Sequence, residues 1–170
     1  MKKQMLFVVL LVFGLVSTFA DGSQGVNIDG QIMSGEYSNT KELRKASLFW
    51  EVEGDDLRIA IHAETDGWIA VGLGSARMDG SEMFMGYFKN GESFFEEHLG
   101  KGHSHSKVEN NRDVEFALME DDGFTFFEFK VKKSDFISAG QNDLPVILAY
   151  GTRDNFRSMH RYRDSTVLDF

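Results

Sequence analysis

Met78 stands in Gly74-Ser75-Ala76-Arg77-Met78-Asp79-Gly80-Ser81, among polar and turn-forming neighbours rather than in apolar alternation. A thioether offered from such a loop is a soft ligand for a metal. The competing use of the same residue is to fold back over a sheet edge as a gap filler. A second donor, His160, lies in Arg153-Asp154-Asn155-Phe156-Arg157-Ser158-Met159-His160-Arg161-Tyr162-Arg163. Four arginines crowd this segment of an otherwise acidic chain. Guanidinium groups bind carboxylates through paired, planar hydrogen bonds, and charge clusters of this kind also serve as solvated loops. One thioether, one imidazole and nearby arginines suit a b-type haem, whose two propionates need cationic partners. Met78 and His160 are then the candidate axial ligands, and Arg157, Arg161 or Arg163 the propionate partners. Met83, Phe84, Met85, Met159 and Tyr162 are candidates for the apolar wall. His/Met ligation gives iron a raised potential, suited to electron transfer.

A third cluster is His98-Leu99-Gly100-Lys101-Gly102-His103-Ser104-His105, with Glu96 and Glu97 beside it. If the segment is extended, the H-x-H spacing projects both imidazoles to one side and could bind a divalent metal, as a site separate from Met78 and His160. The alternative is a Gly-rich hairpin loop with polar residues at its tip. Trp50 and Trp68 have apolar neighbours and read as core. There is no G-x-S-x-G, P-loop, H-E-x-x-H or Cys/His nucleophile arrangement, so the sequence carries no enzyme signature.

These residues must be positioned by strands. Leu57, Ile59 and Ile61 alternate with Arg58, Ala60 and His62, the period of a half-buried strand. Ala46 to Glu53, Gly67 to Leu73, Met83 to Lys89, Ser93 to Glu97, Val114 to Leu118, Phe124 to Val131, Val146 to Tyr150 and Thr166 to Phe170 read likewise as strands. Asn90-Gly91 is a hairpin signal, because both central residues of a type I′ turn need positive φ. Glu53-Gly54-Asp55-Asp56 and Asp122-Gly123 are further turns. Only Lys41 to Lys45 and Ser134 to Ala139 have a helical character. Many short strands with Gly turns, and 16 phenylalanines to fill a space between sheets, predict an all-β antiparallel sandwich with one or two short helices.

Lys2 and Lys3 followed by the apolar run Met5 to Val16 and by Thr18-Phe19-Ala20 read as a secretory signal over residues 1–20, cleaved before Asp21. Residues 21–170 then form one domain of about 150 residues, with no further membrane span. With no cysteine, disulfides, thiolate metal sites and covalent haem attachment are excluded. The expected location is periplasmic or extracellular. Loss of the two lysines leaves 16 basic against 27 acidic residues, or −11, which argues against nucleic acid or anionic membrane as partners.

Gly67-Trp68-Ile69-Ala70-Val71-Gly72-Leu73-Gly74 followed by Met78-Asp79-Gly80-Ser81-Glu82-Met83-Phe84 resembles the core signature of DOMON domains. Asp122 to Lys130, Val146 to Gly151, His160 and Thr166 to Phe170 are similar to the later strands and C-terminal end of that family. Val26-Asn27-Ile28-Asp29-Gly30 with Gly35-Glu36-Tyr37 resembles the opening of related haem- and sugar-binding sandwiches. The resemblance covers nearly the whole mature chain. It implies a sandwich that binds haem or a sugar-like ligand, as in the cytochrome domain of cellobiose dehydrogenase. It also implies haem b ligation by a loop methionine and a C-terminal histidine, here Met78 and His160. The expectation is an exported electron-transfer domain that meets a separate redox partner protein. The alternatives are a carbohydrate or small-ligand module using an exposed Trp or Tyr face, and a metal-binding or adhesion domain centred on His98, His103 and His105.

Overall fold

The computed structural model describes residues 25–109 and 112–170; the expected leader lies outside them. Eleven strands run β1 (Asn39–Leu43), β2 (Ala46–Glu53), β3 (Asp56–Glu64), β4 (Ile69–Leu73), β5 (Glu82–Lys89), β6 (Glu92–Lys101), β7 (Ser104–Lys107), β8 (Glu115–Asp121), β9 (Phe124–Lys132), β10 (Asp143–Tyr150) and β11 (Tyr162–Asp169). They form a five-stranded sheet ordered β1-β2-β3-β9-β8 and a six-stranded sheet ordered β11-β10-β4-β5-β6-β7. All pairings are antiparallel. The antiparallel sandwich is as the strand pattern predicts.

The core lies between the sheets. Leu48, Leu57, Ile59, Ile61, Phe127 and Phe129 project from one sheet onto Val71, Phe84, Val146 and Leu148 of the other. Phe84 stacks on Phe129 with centroids 4.7 Å apart, and Phe95 on Phe116 at 4.5 Å, so aromatic faces bridge the layers. Two tight turns require left-handed backbone at consecutive residues: Asn90 and Gly91 (φ 54° and 84°), and Asp122 and Gly123 (φ 47° and 79°). Both are the turns that the Asn-Gly and Asp-Gly dipeptides predict.

Neither helical segment forms an α-helix. Lys41–Leu43 belongs to β1, paired to β2 from Asn39 opposite Trp50 to Leu43 opposite Ala46. Five residues are too few to nucleate a helix, and the apolar strand alongside supplies a ladder instead. Of the second segment only a 3-10 turn, Lys133–Asp135, is present. β11 starts at Tyr162 rather than Thr166, because its arginine-rich first half lacks the apolar alternation that marks a strand.

Two buried acids hold the edges of the sandwich. Glu128 accepts from the Tyr37 hydroxyl at 2.6 Å and from the Gly30 and Asp29 amides at 2.7 and 3.1 Å, fastening the N-terminal segment to the outer face of β9. Glu97 lies beside Glu82, and both face Arg112, whose Nε is 3.4 Å from Glu97. Burial first, and then the hydrogen bond with Glu82, raise the Glu97 carboxyl to about 7, against the opposing pull of Arg112. Burial and the like charges of Asp154 and Asp66 raise Glu120 to about 7 as well. Unfolded glutamates ionise near pH 4.3, roughly, so the folded chain binds more protons between these values. The stability contributed by both groups is therefore full below the unfolded value and lost as pH rises through about 7. Urea midpoints are expected to fall between pH 5 and pH 8, and the Glu97→Gln/Glu120→Gln double variant is expected to flatten that fall. A slope unchanged in the double variant would show that other groups set it.

Candidate functional site

Alternation along β4 sends Ile69, Val71 and Leu73 into the core, and Ala70 and Gly72 to the opposite face. That opposite face is also dry: all five residues of β4 are buried. On β5, Phe84 points inward while Met83 and Met85 point outward, and on β10, Ile147 and Ala149 do the same. With Trp68 they form an apolar floor on the outside of the six-stranded sheet, and Met78, Tyr87 and Phe156 pack against it. A cavity of about 1510 Å³ opens over this floor. That exceeds the roughly 300–1,000 Å³ usual for small-molecule sites.

Two loops enclose it. The β4–β5 loop carries Met78 and the β10–β11 loop carries His160; both side chains line the cavity and are half-buried. Because Tyr150 pairs with Ile69 and Val146 with Leu73, the two loops lie at opposite ends of β4. Four strand steps separate those ends by about 13 Å. Met78 and His160 thus reach one cavity from the two ends of the same strand.

Each loop is clamped to the sheet. The Gly80 amide donates to the Gly100 carbonyl at 3.1 Å, the Gly100 amide to the Ser81 carbonyl at 2.9 Å, and the Gly102 amide to Asp79 Oδ1 at 2.7 Å. Gly100 is packed so tightly that a Cβ there would strike the Met78 carbonyl. At the other end, the Trp68 indole covers Gly151, where a Cβ would strike the ring, and its Nε1 donates to Ser158 Oγ at 2.9 Å. Trp68 is therefore both floor and clamp, buried as its neighbours predict but facing the cavity and not the core.

The assignments made from sequence divide. Met78, His160, Arg157, Arg163, Met83 and Met85 come together in the cavity wall, with Met159 at its lip, 87% exposed. Phe84 does not: the strand period turns it into the core, fully buried against Phe129. Tyr162 does not either. It is the first inward residue of β11, packs on Tyr150 with centroids 5.3 Å apart and donates its hydroxyl to Asp164 at 2.7 Å. Arg161 lies outside the lining, exposed, with its amide held by the Tyr150 carbonyl at 2.7 Å where the β10–β11 ladder begins. His98, His103 and His105, expected at a distance from Met78 and His160, all line this same cavity. The reason is that Ser104–Lys107 is a strand, β7, paired with the end of β6, not a loose loop tip. Among the described residues, no three His, Asp or Glu side chains are gathered tightly enough to hold a metal ion. Trp68, Ala70, Ile147, Ala149 and Phe156 are lining residues that the sequence reading missed. Their signal was the loss of alternation in Ile69–Leu73 and Met83–Met85, since runs apolar at every position mark strands buried on both faces.

The fold is thus a two-layer antiparallel sandwich with a large cavity on the outer face of one sheet. Residues 42–151 match the DOMON domain, and the chain belongs to that family. No curated protein matches it. The solved cytochrome b domain of pyranose dehydrogenase from Coprinopsis cinerea shares the fold, with TM-score 0.58 and 10% identity, over 73% of this chain and 76% of that one. The cytochrome domain of Myriococcum thermophilum cellobiose dehydrogenase gives TM-score 0.56 and 11% identity, over 73% and 74%.

The clamps yield a prediction. Gly100→Ala should displace the Met78 loop and cost about 1–3 kcal/mol, the usual penalty of overpacking, measured by urea denaturation. Unchanged stability would mean that the loop is not wedged against β6.

Proposed function

We propose that this protein is an exported electron-transfer module that would hold haem b non-covalently in the outer-face cavity, with Met78 and His160 as the donors to its iron. The observation that carries the reading is the convergence of a thioether and an imidazole, from loops at opposite ends of β4, on one apolar-floored cavity. The residues present fit the group. Trp68, Met83, Met85 and Ile147 offer a flat apolar bed, and Arg157 and Arg163 at the wall can pair with two carboxylates. His160 has no hydrogen-bond partner among the described residues, which leaves both ring nitrogens available. With no cysteine in the chain, attachment must be by coordination and packing. Structural likeness to two cytochrome domains supports this assignment.

When bound, haem supplies one-electron chemistry. The chain's own residues hold it, exclude water and set its potential. A thioether paired with imidazole raises the potential, and a dry floor raises it further by penalising the more charged state. The module then carries electrons to or from a redox partner protein. A chain at −11 after loss of Lys2 and Lys3 would meet a basic surface on that partner. Among the described residues no helix is long and apolar enough to cross a membrane.

Absorption spectra of the protein expressed with haem supplied test the proposal. A strong Soret band, with sharp α and β bands on dithionite reduction, is expected. Met78→Ala and His160→Ala should each abolish that low-spin spectrum. A colourless protein that takes up no added haemin sinks the haem reading. Spectra unaltered by either substitution sink the ligand assignment.

A further inference from the structure

The antiparallel register of β6 and β7 sets His98 opposite Lys107 and Gly100 opposite His105. Alternate residues therefore place Glu96 and His98 of β6 on the same face as His105 and Lys107 of β7. His98 Nε2 is 2.8 Å from Glu96 Oε2, and His98 Nδ1 is 2.8 Å from His105 Nδ1. A carboxylate can only accept, so His98 carries its proton on Nε2. Its Nδ1 is then a bare lone pair, accepting from the Nδ1–H of His105. Lys107 Nζ lies 2.9 Å from the other carboxylate oxygen of Glu96, leaving Oε2 to His98. His98 is 7% exposed, too buried to be an ordinary surface histidine.

We infer that His98 and His105 form a two-imidazole site for a borderline divalent ion such as Zn²⁺ or Cu²⁺, oriented by Glu96 and distinct from Met78 and His160. A neutral imidazole whose second nitrogen donates to a carboxylate is the arrangement by which proteins orient metal-ligating histidines. Imidazole pairs suit zinc and copper among the first-row ions. Metal–nitrogen bonds of roughly 2.0–2.1 Å at a tetrahedral angle need the two nitrogens about 3.3 Å apart. The pair must open by only about 0.5 Å on that geometry, and β7 is the edge strand of its sheet, free to yield. The remaining positions belong to water. Binding forms two metal–Nδ1 bonds; the proton on His105 Nδ1 is lost to solvent and Nε2 of the same ring takes one up, so the imidazole stays neutral and no net proton is released. Lys107 opposes the incoming charge, which makes the site moderate in affinity. The inference does not depend on haem, and the zinc titration and the haem spectrum can fail independently.

Calorimetric titration of the purified protein with Zn²⁺ at pH 7, in two buffers of different ionisation enthalpy, tests it. One ion per chain is expected, with no net proton released from the two neutral imidazoles. His98→Ala and His105→Ala should each weaken binding about tenfold or more, and Glu96→Gln, which leaves both imidazoles in place, by about 10–100-fold. Lys107→Met should tighten it, and Met78→Ala and His160→Ala should leave it unchanged. Absence of saturable binding at millimolar zinc overturns the inference. So does a loss in His160→Ala equal to that in His98→Ala, or binding indifferent to Glu96→Gln.

Discussion

Burial of β4 on both faces is the constraint from which the rest of the molecule follows. Ile69, Val71 and Leu73 must reach the sandwich core, and Ala70 and Gly72 must be kept from water on the other side. A sandwich sheet ordinarily offers its outer face to solvent, with polar residues at alternate positions. Here the outer face carries Trp68, Met83, Met85 and Ile147, an apolar surface that needs covering. The loops that cover it are the ones that bear Met78 and His160, so the burial requirement and the gathering of the donors are one event. The small residues at Ala70 and Gly72 leave depth over the strand, where larger side chains would fill the cavity.

The loops are held by close backbone approach as well as by side-chain bonds. Gly100 brings β6 against the Met78 carbonyl, and Gly151 accepts the Trp68 indole edge. These are contacts that only glycine allows, and they link the candidate ligands to strands that are rigid because they are paired on both sides. A donor on a loop clamped in this way has little room to move. Such clamping suits the proposed electron carrier, whose site should change little between oxidation states.

Polar groups are buried at the margins, not at the centre. Glu128 receives three donors and fixes the N-terminal segment, while Glu97 and Glu82 share Arg112, which also stands over the Phe84 and Phe136 rings at 5.9 and 5.1 Å. The centre between the sheets is aromatic and aliphatic throughout. The cavity differs from both places: apolar below, with histidines, arginines and one thioether around it. That gradient from dry floor to charged rim suits a flat apolar ligand with acidic arms.

Local chemistry determined the strands and turns. Period-two alternation marks β3 and β9, Asn90-Gly91 and Asp122-Gly123 set their hairpins through positive φ, and the phenylalanine content requires two packed layers. Met78 and His160 were legible as donors because neither sits in an apolar alternation that would explain it by packing. Their convergence, by contrast, depends on the strand order β11-β10-β4-β5, which pairs segments more than 70 residues apart and which no local pattern encodes. His98 and His105 are brought face to face within one hairpin by the register of β6 with β7, and Phe84 and Tyr162 are sent into the core by strand parity. Residue types and turns act over a few bonds, so the sequence alone determines them. The cavity is made by long-range pairing, and only the tertiary structure decides which faces meet.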